Sequence, residues 1–261
     1  MTYTETNVVE TIEKLAGAEL AELTQVQLDG IDQFHSGGAE AVDRLIHALR
    51  LEPGMTALDV GSGLGGPARQ IARATGCTVI GVDITEAYVD AATALTDAVG
   101  LDDLVGFACI DVADVARSNF DAAYTIHVQM NVADKAAFFA SIAARLQPGA
   151  RFAVFDVCRT GDTAPALPLP WSLDGSDSFL ATPDELCSTI EAAGFETVEW
   201  VDETQWVSEW FAGVGDRVAA AGTPATLTAV LDDGLTRVIN FAAGLSDGVL
   251  TVHRGTFRRA G

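Results

Sequence analysis

The sequence predicts an α/β protein built on a mostly parallel β-sheet. Strand-like apolar runs and helix-like amphipathic runs alternate five times between residues 55 and 157, which is typical of parallel strands joined by helical crossovers. The first strand breaks into a glycine-rich turn that leads into a helix, and the second strand ends in an acid. A chain of 261 residues is long enough for one large domain, whereas a second independent domain would be cramped.

Two helical segments precede the first strand. Residues 8–29 have apolar side chains at helical spacing, and Ala39–Leu49 forms a second amphipathic helix before the turn Glu52-Pro53-Gly54. Ligands of doubly wound sheets bind outside the carboxyl ends of the strands, so an N-terminal helical segment can lie across a cofactor. We therefore divide the chain into a helical cap, residues 1–50, and a cofactor-binding domain, residues 51–261. The alternative is that these helices only cover the sheet.

The central elements follow in regular order. Strands are expected at residues 55–60, 78–83, 107–112, 120–127 and 146–156, and helices near 67–75, 86–99 and 134–146. Further on, Thr182 is a good N-cap for a helix that Gly194 ends, and residues 196–201 form the next strand. Residues 205–247 are predicted helical in two pieces broken at 222–224, and residues 249–257 form the last strand.

The turn after the first strand has the composition of a nucleotide-cofactor site. Gly61, Gly63 and Gly66 permit positive φ angles and let a ligand lie against the main chain, with a helix N-terminus pointing at it. Asp83 follows about twenty residues later, where a carboxylate can bind the two hydroxyls of a ribose. The spacing of these glycines also fits a dinucleotide fingerprint, so the glycines alone leave a nicotinamide cofactor open.

Two further acidic residues distinguish a nicotinamide cofactor from a cofactor that carries positive charge. Asp59 directly precedes the turn, where a carboxylate would crowd a pyrophosphate but suits a cofactor that carries an ammonium and a sulfonium. Asp111 ends the expected third strand, where it can meet an adenine amino group. The sequence therefore favours a positively charged adenosine cofactor.

Asp59, Asp83 and Asp111 at three successive strand ends resemble the S-adenosylmethionine (SAM) site of the class I methyltransferases. The resemblance extends over roughly residues 30 to 200 and is greatest to the sarcosine/dimethylglycine-type small-molecule enzymes, through residues 32–38, 65–69 and 168–171. It implies a Rossmann-like, seven-stranded, mostly parallel sheet with an antiparallel last strand, and SAM as cofactor. The residues implied to bind SAM are Gln33, Asp59, Gly61, Ser62, Gly63, Asp83, Ile84, Asp111, Val112 and His127.

The resemblance also implies where the chemistry takes place. His127 ends the fourth strand, at the edge that faces the transferable methyl group in this family, and is the first candidate for a base or substrate-orienting group. His35 is the second candidate. Each could instead hydrogen-bond the backbone or the cofactor carboxylate.

Three residues are candidates for the acceptor site. Met130, Asn131 and Trp171 are expected to line it, although Asn131 could equally cap a loop. An amine acceptor would favour a carboxylate such as Asp156, and a phenol or isoprenoid would favour apolar walls. The sequence leaves the methylated atom open among N, O and C.

Composition limits the remaining possibilities. A net charge of −22 disfavours a nucleic-acid substrate. The four cysteines lack metal-binding spacing, no apolar run is long enough to span a membrane, and we expect a cytoplasmic protein that binds no metal. The sequence does not indicate whether it is a monomer or a homo-oligomer. The alternatives to a methyltransferase are a nicotinamide-dependent oxidoreductase and a SAM-fold protein that binds its ligand without catalysis.

Overall fold

The computed structural model describes residues 7–28, 31–221 and 230–261. Helices in this part are α1 Val8–Ala16, α2 Gln25–Leu28, α3 Gly38–Leu49, α4 Gly66–Thr75, α5 Glu86–Ala98, α6 Lys135–Arg145, α7 Pro183–Ala192, α8 Thr204–Ala221 and α9 Gly234–Ser246. Strands are β1 Thr56–Val60, β2 Thr78–Asp83, β3 Val105–Cys109, β4 Phe120–Ile126, β5 Leu146–Arg159, β6 Phe195–Asp202 and β7 Leu250–Arg259. Short 3₁₀ helices occupy Leu20–Glu22, Val112–Asp114 and Gln129–Asn131.

The seven strands form one mixed sheet in the order β3-β2-β1-β4-β5-β7-β6. The first five strands in this order, β3, β2, β1, β4 and β5, are parallel to one another. Strand β7 runs antiparallel to both β5 and β6. This arrangement confirms the predicted fold. The strand order reverses between β1 and β4, and the carboxyl ends of strands at such a switch point are where open α/β sheets bind ligands.

Both faces of the sheet are covered, which explains why β1 is buried along its whole length. Ala57 points to the face covered by α3, α4 and α9, and Leu58 points to the face covered by α6 and α7. Successive strand side chains point to opposite faces, so one apolar strand supplies both cores. This rigid centre fixes the turn that follows Val60.

The N-terminal segment differs from the single helix expected at residues 8–29. Helix α1 ends at Ala16 because Gly17 adopts a left-handed conformation (φ 66°) and caps it. After Gly17 the chain forms only the 3₁₀ helix Leu20–Glu22 and the short helix α2. Residues 29 and 30 lie outside the described part. Ile12 and Leu28 pack with Tyr88 of α5, while Leu45 of α3 joins the main core. The role of residues 1–50 as a cap stays a prediction.

Other boundaries also depart from the sequence pattern. The third strand ends at Cys109 rather than 112, because the Asp111 carboxylate accepts the Ala113 N–H and starts a 3₁₀ helix. Strand β5 continues to Arg159, where it still pairs with Leu250 of β7. The helix break expected at 222–224 lies outside the described residues.

Candidate active site

The glycine turn after β1 is shaped by close packing on one side and open space on the other. Gly61 has φ 77°, and a Cβ there would collide with the side chain of Val128. Gly63 has φ 50°, but no heavy atom lies within 4 Å of where its Cβ would be. The main chain at Gly63 therefore borders a space that a ligand could occupy.

Asp83 binds this turn from the end of β2. Its Oδ2 accepts the Gly63 N–H at 2.9 Å, and its Oδ1 accepts the Thr85 N–H at 2.9 Å. The next residue, Ile84, is 76% exposed, which is unusual for a large apolar side chain. The pair thus presents a carboxylate and an apolar surface beside the turn, as a ribose and an adenine ring would require.

Asp59 is buried beneath the turn with an unsatisfied oxygen. Its Oδ2 has no partner at hydrogen-bond distance among the described residues. Burial, reinforced by the charge of Asp83, raises the pKa of Asp59 to about 8 against the opposing effect of the Tyr124 hydroxyl. The hydroxyls of Ser62 and Thr125 are likewise buried without a partner in this part of the chain. A positively charged ligand would compensate Asp59, so the residues present fit a cofactor with an ammonium and a sulfonium.

The third acidic position lies apart from this cluster. Asp111 is exposed and its carboxylate caps the 3₁₀ helix, while Val112 is buried in the same core cluster as Ala123 and Phe152. Asp111 therefore remains accessible to a ligand at the end of β3. Its contact with adenine stays a prediction.

The residues before α3 form a buried polar network. His35 Nδ1 lies 2.9 Å from the Ser36 carbonyl oxygen, and His35 Nε2 lies 3.0 Å from Gln33 Oε1. Gln33 Nε2 in turn donates to Gln70 of α4. Burial lowers the pKa of His35 to about 4, so this histidine is neutral at neutral pH.

A buried ion pair fastens this N-terminal network to the glycine turn. Arg69 of α4 binds Asp32 at 2.9 Å with both side chains fully buried, and it also donates to the Leu64 carbonyl. Gly66 has no room for a Cβ because the Asp32 backbone lies against it. Arg69 was not among the predicted site residues, although Arg69 and Asp32 both lie in segments that carry the family resemblance.

His127 lies where β4 ends, in a left-handed conformation that is rare for a residue with a side chain (φ 54°). Its ring stacks on Phe155, with centroids 5.7 Å apart, and its Nε2 lies 3.0 Å from Ser36 Oγ. Burial, together with neighbouring His35, lowers the pKa of His127 well below its usual value. The structure therefore brings the two predicted histidines together, with centroids 6.1 Å apart.

The turn that follows His127 is fixed from both sides. The buried Asp156 carboxylate accepts the N–H groups of Val128 and Gln129, each at 2.9 Å. Lys135 donates to the carbonyls of Gln129, Val132 and Phe179. Asp156 thus holds the backbone of this turn, and its contact with an amine acceptor stays a prediction.

A cavity of about 30 Å³ adjoins His127. Its walls are mostly apolar; the lining residues are Phe34, His35, Ser36, His127, Met130, Pro170, Trp171, Leu231 and Phe241. Met130 and Trp171 thus line this cavity, and its role as the acceptor site stays a prediction. The Asn131 amide instead donates to the carbonyls of Trp171 and Asp177, which is the loop-capping alternative.

Neither a metal-binding cluster nor a membrane-spanning helix is present among the described residues. No group of three or more His, Cys, Asp or Glu side chains there is arranged to hold a metal ion. Within the same ranges, no helix is both long enough and apolar enough to cross a membrane.

Comparisons with known proteins agree with this geometry. Residues 58–154 match the family model described as a methyltransferase domain. The chain is 28% identical over 180 residues to methyltransferase GfsG of Streptomyces halstedii, covering 67% of this chain and 65% of that protein. It is 31% identical over 166 residues to the sterol 24-C-methyltransferase ERG6B of Gibberella zeae, covering 60% of this chain and 44% of that protein. The chain thus spans less than two thirds of the length of these relatives.

A solved structure shares the fold. A candidate sarcosine dimethylglycine methyltransferase from Galdieria sulphuraria superimposes with a TM-score of 0.68 at 17% identity, covering 85% of each chain. The sheet order is that of a Rossmann-like fold, and the glycine turn lies within the matched methyltransferase domain. Residues 58–154 therefore form a methyltransferase domain of the class I, SAM-dependent type, and SAM is its cofactor.

Proposed function

We propose that this protein transfers a methyl group from SAM to a small, largely apolar molecule that carries no positive charge. The observation that carries the proposal is the cavity beside His127. Six of its lining residues are apolar, and its polar groups are two histidines and Ser36, with no carboxylate among the lining residues described. An ammonium acceptor would lack a counter-charge there. The sterol enzyme among the relatives is consistent with an apolar acceptor.

The cofactor side of the site is proposed from the glycine turn. Gly61, Ser62 and Gly63 would lie along the cofactor, Asp83 and Ile84 would bind its ribose and adenine ring, and Asp59 would compensate positive charge. Asp111, Val112 and Gln33 would complete the site at its edges, and His127 would border the cofactor as well as the acceptor. When bound, SAM supplies a methyl group activated by its sulfonium.

The chain itself contributes mainly alignment. Positioning of two reactants can supply several kcal/mol of rate acceleration. The low pKa of His127 makes its neutral imidazole a weak base, so we favour orientation of the nucleophile through a ring nitrogen over full deprotonation. We assign His35 to this network and not to the chemical step, because Ser36 and Gln33 lie beside its two ring nitrogens.

Calorimetry and a transfer assay test this function. We expect SAM and S-adenosylhomocysteine to bind and NAD not to bind. Radiolabelled SAM should then be incubated with neutral isoprenoid alcohols, phenols and carboxylic acids, and with alkyl amines as the contrasting set. Transfer to amines alone would contradict the apolar site. SAM binding with no transfer to any class of acceptor would favour the non-catalytic binding protein.

A further inference from the structure

A second fully buried arginine lies next to the lining of the cavity, and no described carboxylate neutralises it. Arg237 is 0% exposed and its Nη1 donates to the Pro170 carbonyl at 3.2 Å. Its Nε is buried with no hydrogen-bond partner in the described ranges. Among the side chains that the structure describes, no carboxylate forms an ion pair with it.

Arg69 shows how this chain otherwise buries a guanidinium. That side chain is equally buried, but it binds the Asp32 carboxylate and also donates to Thr96 Oγ1 and the Leu64 carbonyl. Removing a charge from water is costly unless an opposite charge and hydrogen bonds replace the solvent. Among the described residues, Arg237 has instead the single carbonyl acceptor of Pro170.

The location of Arg237 connects it to the acceptor cavity. Pro170, whose carbonyl it binds, lines the cavity, and so does Phe241, one helical turn further along α9. Residues four apart lie on the same face of a helix, so Arg237 and the cavity-lining Phe241 share a face. Leu231, just before α9, lines the cavity as well.

The helix itself adds to the excess of positive charge. Arg237 is the fourth residue of the 13-residue helix α9, close to the end where the helix dipole is positive. A cation is disfavoured at this end, and an anion is favoured. The positive end of the α9 dipole and the Arg237 guanidinium therefore both favour an anionic ligand.

We propose that Arg237 binds an anionic group, a carboxylate or a phosphate, at the end of the methyl acceptor remote from His127. This inference rests on the proposed function, because it assigns one more group to the same acceptor. The planar guanidinium suits two parallel hydrogen bonds to either anion. The acceptor is then an amphipathic acid: an apolar body lies against the aromatic walls, and a charged end lies at α9.

The experiment compares matched probes that differ only at the head group. Decanol, decanoate and decyl phosphate are titrated by calorimetry into the full chain saturated with S-adenosylhomocysteine. We expect at least one anionic probe to bind roughly tenfold or more tightly than decanol, as charge-assisted hydrogen bonds require. The more tightly bound anion identifies the head group.

Variants assign the preference to Arg237. Arg237→Met should reduce the ratio of anion to alcohol affinity to about one, and Arg237→Lys should retain part of it. Ile239→Ala, on the exposed side of the same helix, is the matched control and should keep the wild-type ratio. Equal affinity of the wild-type protein for all three probes, or an unchanged ratio in Arg237→Met, would overturn the inference.

Two further readouts separate an anion subsite from a purely structural role of Arg237 and from a failure of the proposed function. If Arg237 only supports the Pro170 loop, the methionine and lysine variants will both lower the Tm and leave the affinity ratio unchanged, which refutes the subsite. Failure of the wild-type protein to bind SAM would refute the proposed function. A preference for anions that disappears in Arg237→Met would still establish the subsite in that case.

Discussion

The imidazole Nε2 of His127 lies 3.0 Å from the hydroxyl oxygen of Ser36, although the two residues are 91 positions apart in the chain. This contact joins the segment before α3 to the end of β4. Phe155 supports the face of the same ring in a near-parallel stack, with an interplanar angle of 7°. The orientation of His127 is therefore set by a hydroxyl on one side and an aromatic ring on another.

The first prediction tests whether Ser36 orients His127. Ser36→Ala removes one neutral hydrogen bond, worth about 1 kcal/mol, so kcat should fall about fivefold while the Kd for SAM stays the same. His127→Asn should lower kcat further, because it removes the ring itself. Once an acceptor is known, initial rates at saturating SAM provide the measurement.

Ser141→Ala is the control, since the Ser141 hydroxyl only donates to a backbone carbonyl within α6. It should leave kcat unchanged. A Ser36→Ala enzyme with the kcat of the wild type would show that Phe155 alone holds the ring.

The second prediction concerns Asp83 and the cofactor. Asp83→Ala removes a carboxylate that binds the glycine turn and that we assign to the ribose diol. Charge-assisted hydrogen bonds are worth roughly 1.5–3 kcal/mol each, so the Kd for SAM should rise at least about tenfold. Calorimetry with SAM and S-adenosylhomocysteine measures this, and an unchanged Kd for both would refute the assigned role.

A third prediction follows from the pKa of Asp59, which burial raises to about 8. The group is protonated in the free protein below that pH, whereas a bound cation favours its ionised form. Binding of SAM should then release a proton, and affinity should increase with pH by up to about tenfold per unit until about pH 8. Titrations in buffers of different ionisation enthalpy count the released protons.

The Asp59→Asn variant has no ionisable group at this position, so its SAM affinity provides the comparison with the wild type. Its affinity for SAM should show a much weaker dependence on pH between about 6 and 8. Equal pH dependence in the two proteins would mean that another group takes up the proton.

Much of the fold follows from local sequence pattern. Strand β2 begins and ends where its alternating apolar pattern predicts, and the capping box of Thr182 and Glu185 begins α7 at Pro183. These signals lie within a few residues of the element they define. Gly17 carried a signal of the same kind, and it ended α1 where the apolar spacing alone suggested one continuous helix.

The side-chain environment of the site was harder to predict. Arg69 and Asp32 are 37 residues apart, and nothing in either segment shows that they meet without exposure to solvent. The same limit applies to Asp156, which is 27 or 28 residues from the N–H groups that it accepts. A sequence shows which groups can ionise, but burial and partners depend on the packing of distant elements. The location of His127 at the end of the fourth strand could therefore be predicted from the sequence, whereas its low pKa could not.

The fourth prediction is that Asp156 acts as a positioning residue for His127. Asp156→Asn keeps the size of the side chain but replaces one acceptor oxygen with an amide nitrogen that faces N–H donors. An unsatisfied buried donor costs about 1–3 kcal/mol, so the left-handed turn should loosen and kcat should fall about tenfold or more, with the Kd for SAM little changed.

Asp121→Asn is the matched control for this change. The Asp121 carboxylate also accepts a backbone N–H, that of Thr56, but it does so near the start of β4 and β1, at the opposite end of the sheet. The control should lower the Tm without lowering kcat. Equal losses of kcat in both variants would indicate a general loss of stability instead of a positioning role.

The last prediction concerns the buried ion pair that fastens the N-terminal network to the glycine turn. Asp32→Asn leaves the Arg69 guanidinium charged and buried, and breaking such a pair typically costs about 3–5 kcal/mol. The urea midpoint of unfolding should fall accordingly. SAM affinity should fall with it, because Arg69 also binds the Leu64 carbonyl within the turn. Glu10→Gln is the control, since its ion pair with Lys14 is exposed on α1 and its loss should leave the midpoint unchanged. A midpoint for Asp32→Asn equal to that of the wild type would mean that the Arg69 charge is compensated elsewhere, and the N-terminal segment would then be held by apolar packing alone.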